Sequence, residues 1–509
     1  MAVAKMALKK KQKWSKPAIA AMLATMCFAA FQAPAQASTA QDLLKILRAK
    51  KIVTEEEYNS LVEDLNNEEI QEKTERRKAK LKEATLDEAR EKQKEEAKTA
   101  IKATFKDGIT WESADKSTSL SLNGRIQLDY RSYGGADALN ADTFDVRRAY
   151  LSGKGTFYDA YSFLVQADIA QNGVALDEGW FNIAWWKAAQ FRFGQFKMPM
   201  SLEELTSDLH IDFQERSLVN AQVPGKERGA MLHGQPMDGV YYGLALSTGQ
   251  GKNNNEGNNV VDSNDVIGRL AVNFANIFDY KNAVFHVAGS FSDGTIPVTA
   301  VTSGRTEGRG TNNFFTSEAF SGRDVDRQRK AFETAIAYGP VKFQAEYVNV
   351  NFDGTSAAGV NYDRDIDVYY AGLSWLITGE HYADSYSGGT FGRIRPKMNF
   401  KPGSDGFGAW EAAVRYSNFD ASDFKTTNAA GTGRLSAPIV ANNAVTTFTN
   451  KADSWTLGLK WIPNPNTKVY LNYVTTKFGT PVTVTPGAPG VVTTTNNERA
   501  LTLRVGFDF

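Results

Sequence analysis

The sequence predicts an all-β protein, a 16-stranded antiparallel transmembrane β-barrel, preceded by an N-terminal α-helical extension. Two observations predict the barrel. From residue 119 onward apolar and polar residues alternate, and the connections between the alternating segments are by turns short and long. A third observation predicts the extension, because residues 38–106 are rich in Glu, Lys, Ala, Arg and Leu and contain no Gly or Pro.

The composition excludes several classes of function. The chain has 509 residues, with 58 Lys and Arg against 58 Asp and Glu, which excludes a nucleic-acid-binding protein held by excess positive charge. A single cysteine, Cys27, allows neither a disulfide framework nor a cysteine metal cluster. The four histidines follow no metal-binding spacing, and no residue is marked as an activated nucleophile. We therefore expect no enzyme, no cofactor, no metal site and no nucleic-acid partner.

The N-terminus has the features of an export signal. Six lysines and no acidic residue occupy residues 1–16, an apolar stretch follows, and Ala35, Gln36 and Ala37 form an A-x-A cleavage pattern. An uncleaved membrane anchor is the alternative, but the apolar stretch is short for one. We predict a signal peptide at 1–37. Its removal takes six of the 58 basic residues and leaves 52 against 58 acidic residues.

The helical extension is predicted at 38–107. Its first short helix lies near 41–48, and a second starts at Thr54, where Thr54 and Glu57 have the spacing of a capping box. Residues 68–104 follow as one long charged helix. The apolar residues of this helix are sparse and form no clean heptad seam. A trimeric coiled coil and a solvated spacer helix therefore both remain open.

The strand pattern is clearest at its start. Leu122, Ile126 and Leu128 stand at even positions with polar residues between them, so the segment has one apolar and one polar face. Sixteen such segments lie near 119–131, 143–156, 161–169, 176–186, 189–196, 228–235, 238–249, 264–275, 282–292, 328–338, 341–351, 365–378, 408–419, 453–462, 467–477 and 499–509. The segment at 143–156 is irregular, which predicts a β-bulge in it.

A soluble β-sandwich would alternate in the same way, but three features favour a membrane barrel, predicted at 108–509. Most segments run about 9–12 residues, the length that a tilted membrane strand needs. Aromatic residues stand near the segment ends, as in interfacial girdles. Short turns alternate with long polar loops, except at 378–407, which is long where a short turn is due. Barrels of this size leave an aqueous channel.

The polar faces define the lumen. A strand arginine or lysine facing the lipid midplane would cost about 2–4 kcal/mol, so cations on polar faces point inward. Arg147 and Arg148 are adjacent, and a bulge or the barrel rim must hold one of them. Inward cations attract anions, unless inward carboxylates pair with them across the barrel. The predicted anion path comprises Arg125, Arg147, Arg148, Arg192, Arg269, Arg415 and Lys460.

The long loop at 196–227 is the candidate constriction. It carries Glu203, Glu204, Asp208, Asp212, Glu215 and Arg216. If the loop folds inward, these residues narrow the pore. If it does not, it is an extracellular loop with no role in the lumen.

Seven motifs, taken together, resemble the phosphate-selective porin family, porins O and P. They are NGRIQ at 123–127, RRAYL at 147–151, FGQF at 193–196, LE at 202–203, ERSL at 215–218, TGE at 378–380 and GAWE at 408–411. The resemblance implies a homotrimer of 16-stranded barrels, a third loop folded into each pore, and an arginine track that includes Arg125, Arg147 and Arg148. It also identifies 378–407 as similar to a long periplasmic turn of the family, and IVTEEEY at 52–58 as similar to its N-terminal extensions.

The sequence departs from the family in the third loop. Where the best-known members carry lysines, this chain has Glu204 and Leu209. This difference weakens a phosphate site, because one charge at 4 Å contributes about 4 kcal/mol at an effective dielectric constant of ~20. We expect an outer-membrane porin for passive diffusion of small hydrophilic solutes, with small anions such as phosphate as the first candidates. A non-selective general-diffusion porin and an envelope-tethering structural barrel are the alternatives.

The expected partners follow from this prediction. The barrel would form homotrimers in the bacterial outer membrane and contact outer-membrane lipid and lipopolysaccharide. The C-terminal strand, which ends in Phe509, would be recognised by the barrel-assembly machinery. The helical extension would contact peptidoglycan.

Overall fold

The computed structural model describes residues 38–99, 101–105, 108–134, 140–170, 173–253, 264–296, 301–310, 312–322, 325–437, 439–441, 444–484 and 493–509. The predicted signal peptide, 1–37, lies outside the described residues. The chain divides into two compact units between Ala97 and Lys98, the first helical and the second mainly β. No helix in the described part combines the length and the apolar character needed to cross a membrane.

The helical unit contains two helices, α1 (Ser38–Ala49) and α2 (Glu55–Thr99). The predicted capping box is present: the Thr54 backbone N–H donates to Glu57 Oε2 at 3.0 Å, and the Glu57 N–H donates to Thr54 Oγ1 at 3.3 Å. The helix that starts there is continuous with the long charged helix, because no Gly or Pro interrupts it. The sequence predicts two separate helices here, so that prediction is wrong.

The helix ends earlier than the predicted residue 104. Ile101–Phe105 form a strand that pairs with Ile109–Ser113, and the second strand pairs in turn with the start of the barrel. Ile101, Thr104 and Phe105 are β-branched or aromatic and favour strand structure, which overrides the charged helical composition around them. These two short strands therefore belong to the sheet of the β unit.

The barrel consists of sixteen antiparallel strands, as predicted. They are β1 (Ser119–Tyr133), β2 (Thr143–Phe157), β3 (Tyr161–Asp168), β4 (Ala175–Trp186), β5 (Ala189–Lys197), β6 (Lys226–Met237), β7 (Val240–Ser247), β8 (Asp265–Asn273), β9 (Ala283–Ile296), β10 (Val325–Tyr338), β11 (Val341–Thr355), β12 (Asn361–Leu376), β13 (Ala409–Asp420), β14 (Lys451–Asn464), β15 (Thr467–Val484) and β16 (Thr493–Asp508). Several exceed the predicted length: β12 has 16 residues and β15 has 18.

The sheet closes where β16 pairs with β1, in a register that runs from Ala500 opposite Tyr133 to Asp508 opposite Arg125. Inside this seam the Arg504 guanidinium contacts the Asp129 carboxylate at 2.6 Å. Alternation along the strands follows the prediction, since Leu128 is 45% exposed on the outer face while its neighbour Asp129 is 2% exposed inside. The barrel is therefore apolar outside and polar inside.

The predicted irregularity in β2 is a β-bulge. Gln127 of β1 pairs with Arg148, and Leu128 pairs with Val146, so Arg147 is the extra residue. The bulge changes the pleat locally and lets two adjacent arginines face the lumen.

Turns and loops lie at opposite ends of the barrel. On the side of the chain termini the turns are short, and Gly339, at φ 54°, begins the two-residue turn that joins β10 to β11. The exception is the turn at 377–408, which joins β12 to β13 on that side and contains a 3₁₀ turn at Tyr382–Ser385 and a small hairpin. This agrees with the long turn that the sequence predicts at 378–407.

Candidate functional site

The third loop, residues 198–225 between β5 and β6, folds into the lumen. Four apolar side chains around its start are fully buried: Phe196, Met198, Met200 and Leu202. The loop then forms the short helix α3 (Leu202–Leu205), whose first turn is capped when the Glu204 backbone N–H donates to Ser201 Oγ at 3.1 Å. The loop thus adopts the inward one of the two arrangements that the sequence left open.

Asp208, in the middle of the third loop, pairs with two wall arginines. Its carboxylate forms ion pairs with Arg125 of β1 and Arg148 of β2. Burial alone would raise the pKa of Asp208, but the two guanidinium groups outweigh burial and hold the pKa well below its usual 3.8. Asp208 therefore stays ionised at neutral pH and cancels much of the charge of the two arginines.

Glu215, towards the end of the loop, makes a similar contact. Its carboxylate accepts from Arg147 Nε at 2.9 Å and also pairs with Arg504 of β16. Burial raises the pKa of Glu215, but the neighbouring guanidinium groups lower it by more, so the pKa lies well below the usual 4.5. Because the bulge turns Arg147 inward, both adjacent arginines of β2 contact the loop.

Two further loop carboxylates bind the opposite part of the wall. Glu203 Oε1 accepts from Arg415 Nη1 of β13 at 2.9 Å, and Asp212 Oδ1 pairs with Lys342 Nζ of β11 at 2.7 Å. Arg415 and Lys342 are both almost fully buried. These contacts tie the loop to the wall on the side of β11 to β13.

Two cationic side chains donate hydrogen bonds to backbone carbonyl groups at the carboxyl end of α3. Lys197 Nζ donates to the Thr206 carbonyl at 3.0 Å and to the Leu205 carbonyl at 3.4 Å. Arg216 Nε donates to the Glu203 carbonyl at 2.9 Å, and its Nη2 donates to the Thr206 carbonyl, also at 2.9 Å. Cations are favourable at a helix carboxyl end, so the pair fixes the bend of the loop.

Two other segments fill the same half of the lumen. From the loop side, Glu307 between β9 and β10 accepts from Arg415 Nη2 at 2.7 Å. From the turn side, the long turn 377–408 contacts the inner wall where the Tyr386 hydroxyl meets His286 Nδ1 at 2.7 Å. Lys342 Nζ also lies 4.4 Å from the centre of the Phe391 ring. On this side of the third loop the cavity measures only about 20 Å³.

The other half of the lumen is open. A cavity of about 840 Å³ is bounded by β1 to β8, by the third loop and by part of the long turn. Among the described residues, eleven cationic side chains line it: Arg125, Arg148, Lys154, Lys187, Arg192, Lys197, Arg216, Lys226, Lys252, Arg269 and Arg393. Five carboxylate side chains of the same described set line it: Asp177, Glu178, Glu204, Asp208 and Asp508. The cavity wall therefore carries an excess of positive charge.

The structure separates the predicted site residues into two groups. The cavity is lined by Arg125, Arg148, Arg192 and Arg269 of the predicted path, and by Glu204, Asp208 and Arg216 of the predicted constriction. The remaining residues are held in ion pairs away from this cavity: Arg147, Arg415, Lys460, Glu203, Asp212 and Glu215. Lys460, for example, contacts Glu411 at 2.8 Å and is 4% exposed.

Several cavity cations were missed by the sequence analysis. Lys154 occupies an inward position of β2, so the same alternation could have identified it. Lys197 and Lys226 stand at strand ends next to the third loop, and Arg393 belongs to the long turn. Turn and loop residues do not alternate between the two faces of a strand, so the apolar–polar alternation could not show that Arg393 faces the lumen.

Comparison with known proteins places these features in context. A family model described as phosphate-selective porin O and P matches residues 120–480. Porin O of Pseudomonas aeruginosa is 26% identical over 408 residues, which make up 73% of this chain and 86% of that protein.

Solved porin structures also superimpose on the chain. An anion-selective porin from Comamonas acidovorans gives a TM-score of 0.43 at 13% identity, covering 77% of this chain and 100% of that one. OmpT, an outer membrane protein of Vibrio cholerae, gives a TM-score of 0.45 at 10% identity, covering 77% of this chain and 98% of that one.

Proposed function

Because the chain belongs to the phosphate-selective porin O and P family, whose members form channels in the outer membrane, we propose that small hydrophilic anions, phosphate among them, diffuse passively through its lumen. The observation that carries this proposal is the composition of the 840 Å³ cavity wall, with eleven cations against five carboxylates. A positive wall around a narrow aqueous path lowers the energy of an anion and raises that of a cation.

The selectivity is weak rather than strict. At the third loop, Asp208 pairs with both Arg125 and Arg148 and offsets one of their two positive charges, and Glu204 lies 3.4 Å from Arg216. A desolvated phosphate needs several unpaired donors at one place, and these arginines already have anionic partners. We therefore propose a modest preference for anions, with the narrowest part of the path where the third loop faces β1 and β2.

The proposed path follows the open half of the lumen. Arg125, Arg148, Arg192 and Arg269 are its wall cations. Arg147, Arg415 and Lys460 act differently, since they hold the third loop and the neighbouring segments in position. This division keeps four residues of the predicted anion path as wall cations and gives the other three a structural role.

Planar-bilayer recording tests the proposal. In a gradient of KCl, we expect a reversal potential whose sign indicates preference for chloride over potassium. When phosphate replaces chloride, we expect a smaller but measurable current. Arg434→Gln serves as a control and should have the reversal potential of the wild type, because Arg434 pairs with Glu318 at 2.6 Å and does not line the cavity. A cation-selective wild-type channel would overturn the anion proposal, and a reversal potential near zero would favour a general-diffusion porin.

We also propose that the barrels assemble as homotrimers, as the family resemblance implies. A band of aromatic side chains is exposed on β3 and β4, where the Tyr161 and Phe181 rings stack at 6.0 Å and Trp185 is 57% exposed. An apolar surface of this kind suits either lipid or a second copy. Light scattering in mild detergent distinguishes a trimer from a monomer.

The envelope-tethering role remains an alternative for the helical extension. Leu43, Ile70 and Leu81 are each more than half exposed in this unit, which leaves apolar groups for a partner. Deletion of 38–97, followed by assays of conductance and of envelope integrity, separates a tether from a part of the pore. The expected contacts with peptidoglycan, lipopolysaccharide and the barrel-assembly machinery stay predictions.

A further inference from the structure

One arginine of the cavity has no paired carboxylate among the described residues. Arg192, on β5, takes part in none of the ion pairs between described residues, and its Nε has no hydrogen-bond partner among them. Glu178 acts on Arg192 only at longer range and is itself 3.3 Å from the Lys226 ammonium. Arg192 therefore differs from Arg125 and Arg148, which share Asp208.

Aromatic rings hold the Arg192 guanidinium in place. Its central carbon lies 4.3 Å from the centre of the Trp180 ring and 5.8 Å from the centre of the Phe196 ring. A ring against one face fixes a guanidinium by cation–π attraction and leaves its N–H edge for another partner. That edge matches the two oxygens of a carboxylate, which it binds with two parallel hydrogen bonds.

An apolar surface adjoins this arginine on the next strands. Met231 of β6 stands directly opposite Arg192 in the sheet register. On β7, a Cβ atom added to Gly243 would lie 2.8 Å from Pro199 Cβ and 3.5 Å from Met231 Sδ, so these two side chains converge on the bare backbone of Gly243. All of these residues, and Tyr241 beside them, line the same cavity.

The combination is unusual for a wall that serves only small inorganic ions. A fully hydrated phosphate or chloride gains nothing from an apolar surface, because it would have to lose water there. An anion with an apolar part gains from both features, since the charge meets an unpaired guanidinium and the apolar part leaves water.

We propose that this surface, the Arg192 wall (Arg192, Trp180, Met231, Tyr241, Pro199 and Gly243), binds anionic solutes that carry a flat apolar group, with aromatic carboxylates as the simplest class. The carboxylate binds the Arg192 edge, and the ring lies against Met231, Pro199 and Tyr241. This inference rests on the proposed function, because it assigns a solute class to the same channel.

Block of chloride current in planar bilayers tests it, with benzoate and acetate as probes. The two ions carry the same charge and the same carboxylate, and differ in the ring. We expect half-block by benzoate at a concentration about tenfold or more below that of acetate, and acetate similar to phosphate. Arg192→Gln and Met231→Ser should each remove most of the difference between benzoate and acetate.

Lys154→Gln is the matched control. Lys154 also lines the cavity and also takes part in none of the ion pairs between described residues, but it is not part of the Arg192 wall. Its loss should reduce chloride preference and leave the benzoate-to-acetate ratio unchanged. If Arg192→Gln fails to insert, Trp180→Leu takes its place, and only inserted channels enter the comparison.

Two results would overturn the inference. One is equal block by benzoate and acetate in the wild-type channel, and the other is a ratio that survives Arg192→Gln and Met231→Ser. Both leave the proposed function intact, because chloride preference in a KCl gradient is measured separately. A channel without anion preference would instead contradict the proposed function.

Discussion

At the scale of single residues, the charge of the lumen depends on which carboxylate each cation meets. Asp208 meets Arg125 and Arg148, whereas Arg192 meets an aromatic ring. Inward direction is therefore not enough to make an arginine available to a solute. The pairing of each guanidinium decides whether its charge acts on the cavity.

Asp208→Asn should make the channel more anion-selective. Removal of this anion leaves Arg125 and Arg148 without their shared carboxylate. We expect the chloride-to-potassium permeability ratio to rise about threefold or more, because one uncompensated positive charge in a narrow cleft raises the local concentration of anions by at least that factor. The reversal potential in a KCl gradient measures the ratio. The difference from wild type should be the same at pH 7 and pH 5, because the lowered pKa of Asp208 keeps it ionised at both.

Asp159→Asn provides the control for this change. Asp159 has φ 58° in the short turn after β2, a conformation that Asn tolerates, and lies outside the cavity lining. An unchanged ratio in Asp208→Asn, or a difference that disappears by pH 5, would contradict the pairing described here.

Sequence alternation identified the direction of most wall residues but not what covers them. Arg125, Arg192 and Arg415 were all predicted to point inward, and all three do. Arg415 nevertheless lies 2% exposed behind the third loop, paired with Glu203, which is more than 200 positions away in the chain. A period of two contains no information about such distant partners.

At the scale of elements, the third loop is held by buried ion pairs rather than by regular structure. Arg415 is the central residue of this anchor, since it contacts both Glu203 and Glu307. Removing one member of a buried ionic group leaves the others unpaired, which typically costs about 3–5 kcal/mol. The loop should therefore be the element most sensitive to a single substitution.

Arg415→Met should loosen the third loop without removing a cavity cation. We expect larger and noisier single-channel currents, because Glu203 and Glu307 would lose their shared partner and the loop would leave its place intermittently. Open-channel noise and the thermal transition of the β-sheet signal in circular dichroism measure the effect. Arg434→Gln, which breaks a partly exposed pair, should leave both unchanged. A quiet Arg415→Met channel of wild-type conductance would show that the loop is held by other contacts.

The elements themselves were largely predictable. The period of two identified all sixteen barrel strands, and the capping spacing identified the start of α2. The extent of that helix was not predictable from composition, because the pairing of Ile101–Phe105 with Ile109–Ser113 is a tertiary event. The inward course of the third loop was likewise undecided, since no local signal distinguishes a loop that binds the wall from one that points outward.

At the scale of the whole barrel, the lumen is divided into a filled half and an open half. The third loop, the segment around Glu307 and the long turn occupy the side of β9 to β14, and the 840 Å³ cavity lies along β1 to β8. Solutes should therefore contact one side of the wall only.

Cysteine accessibility tests this division. Cys27 is the only cysteine of the chain, so an introduced thiol in the barrel gives a single signal once the expected signal peptide is removed. Ser152→Cys, on the cavity side, should react with a water-soluble anionic thiosulfonate and lose chloride current. Thr456→Cys, 1% exposed beside Glu307, should stay unmodified and conduct normally. Equal reaction at both positions would mean that the lumen is open on both sides.

The seam between β16 and β1 has a consequence for how the molecule is made. Asp129 and Arg504 meet there across 375 positions of the chain, so the cylinder cannot be sealed until its last strand has been synthesised and delivered. Until then, both terminal strands present unsatisfied backbone groups to anything nearby. Contacts between the two ends of a long chain form slowly, and a chain truncated by one strand would remain permanently in that exposed, aggregation-prone state.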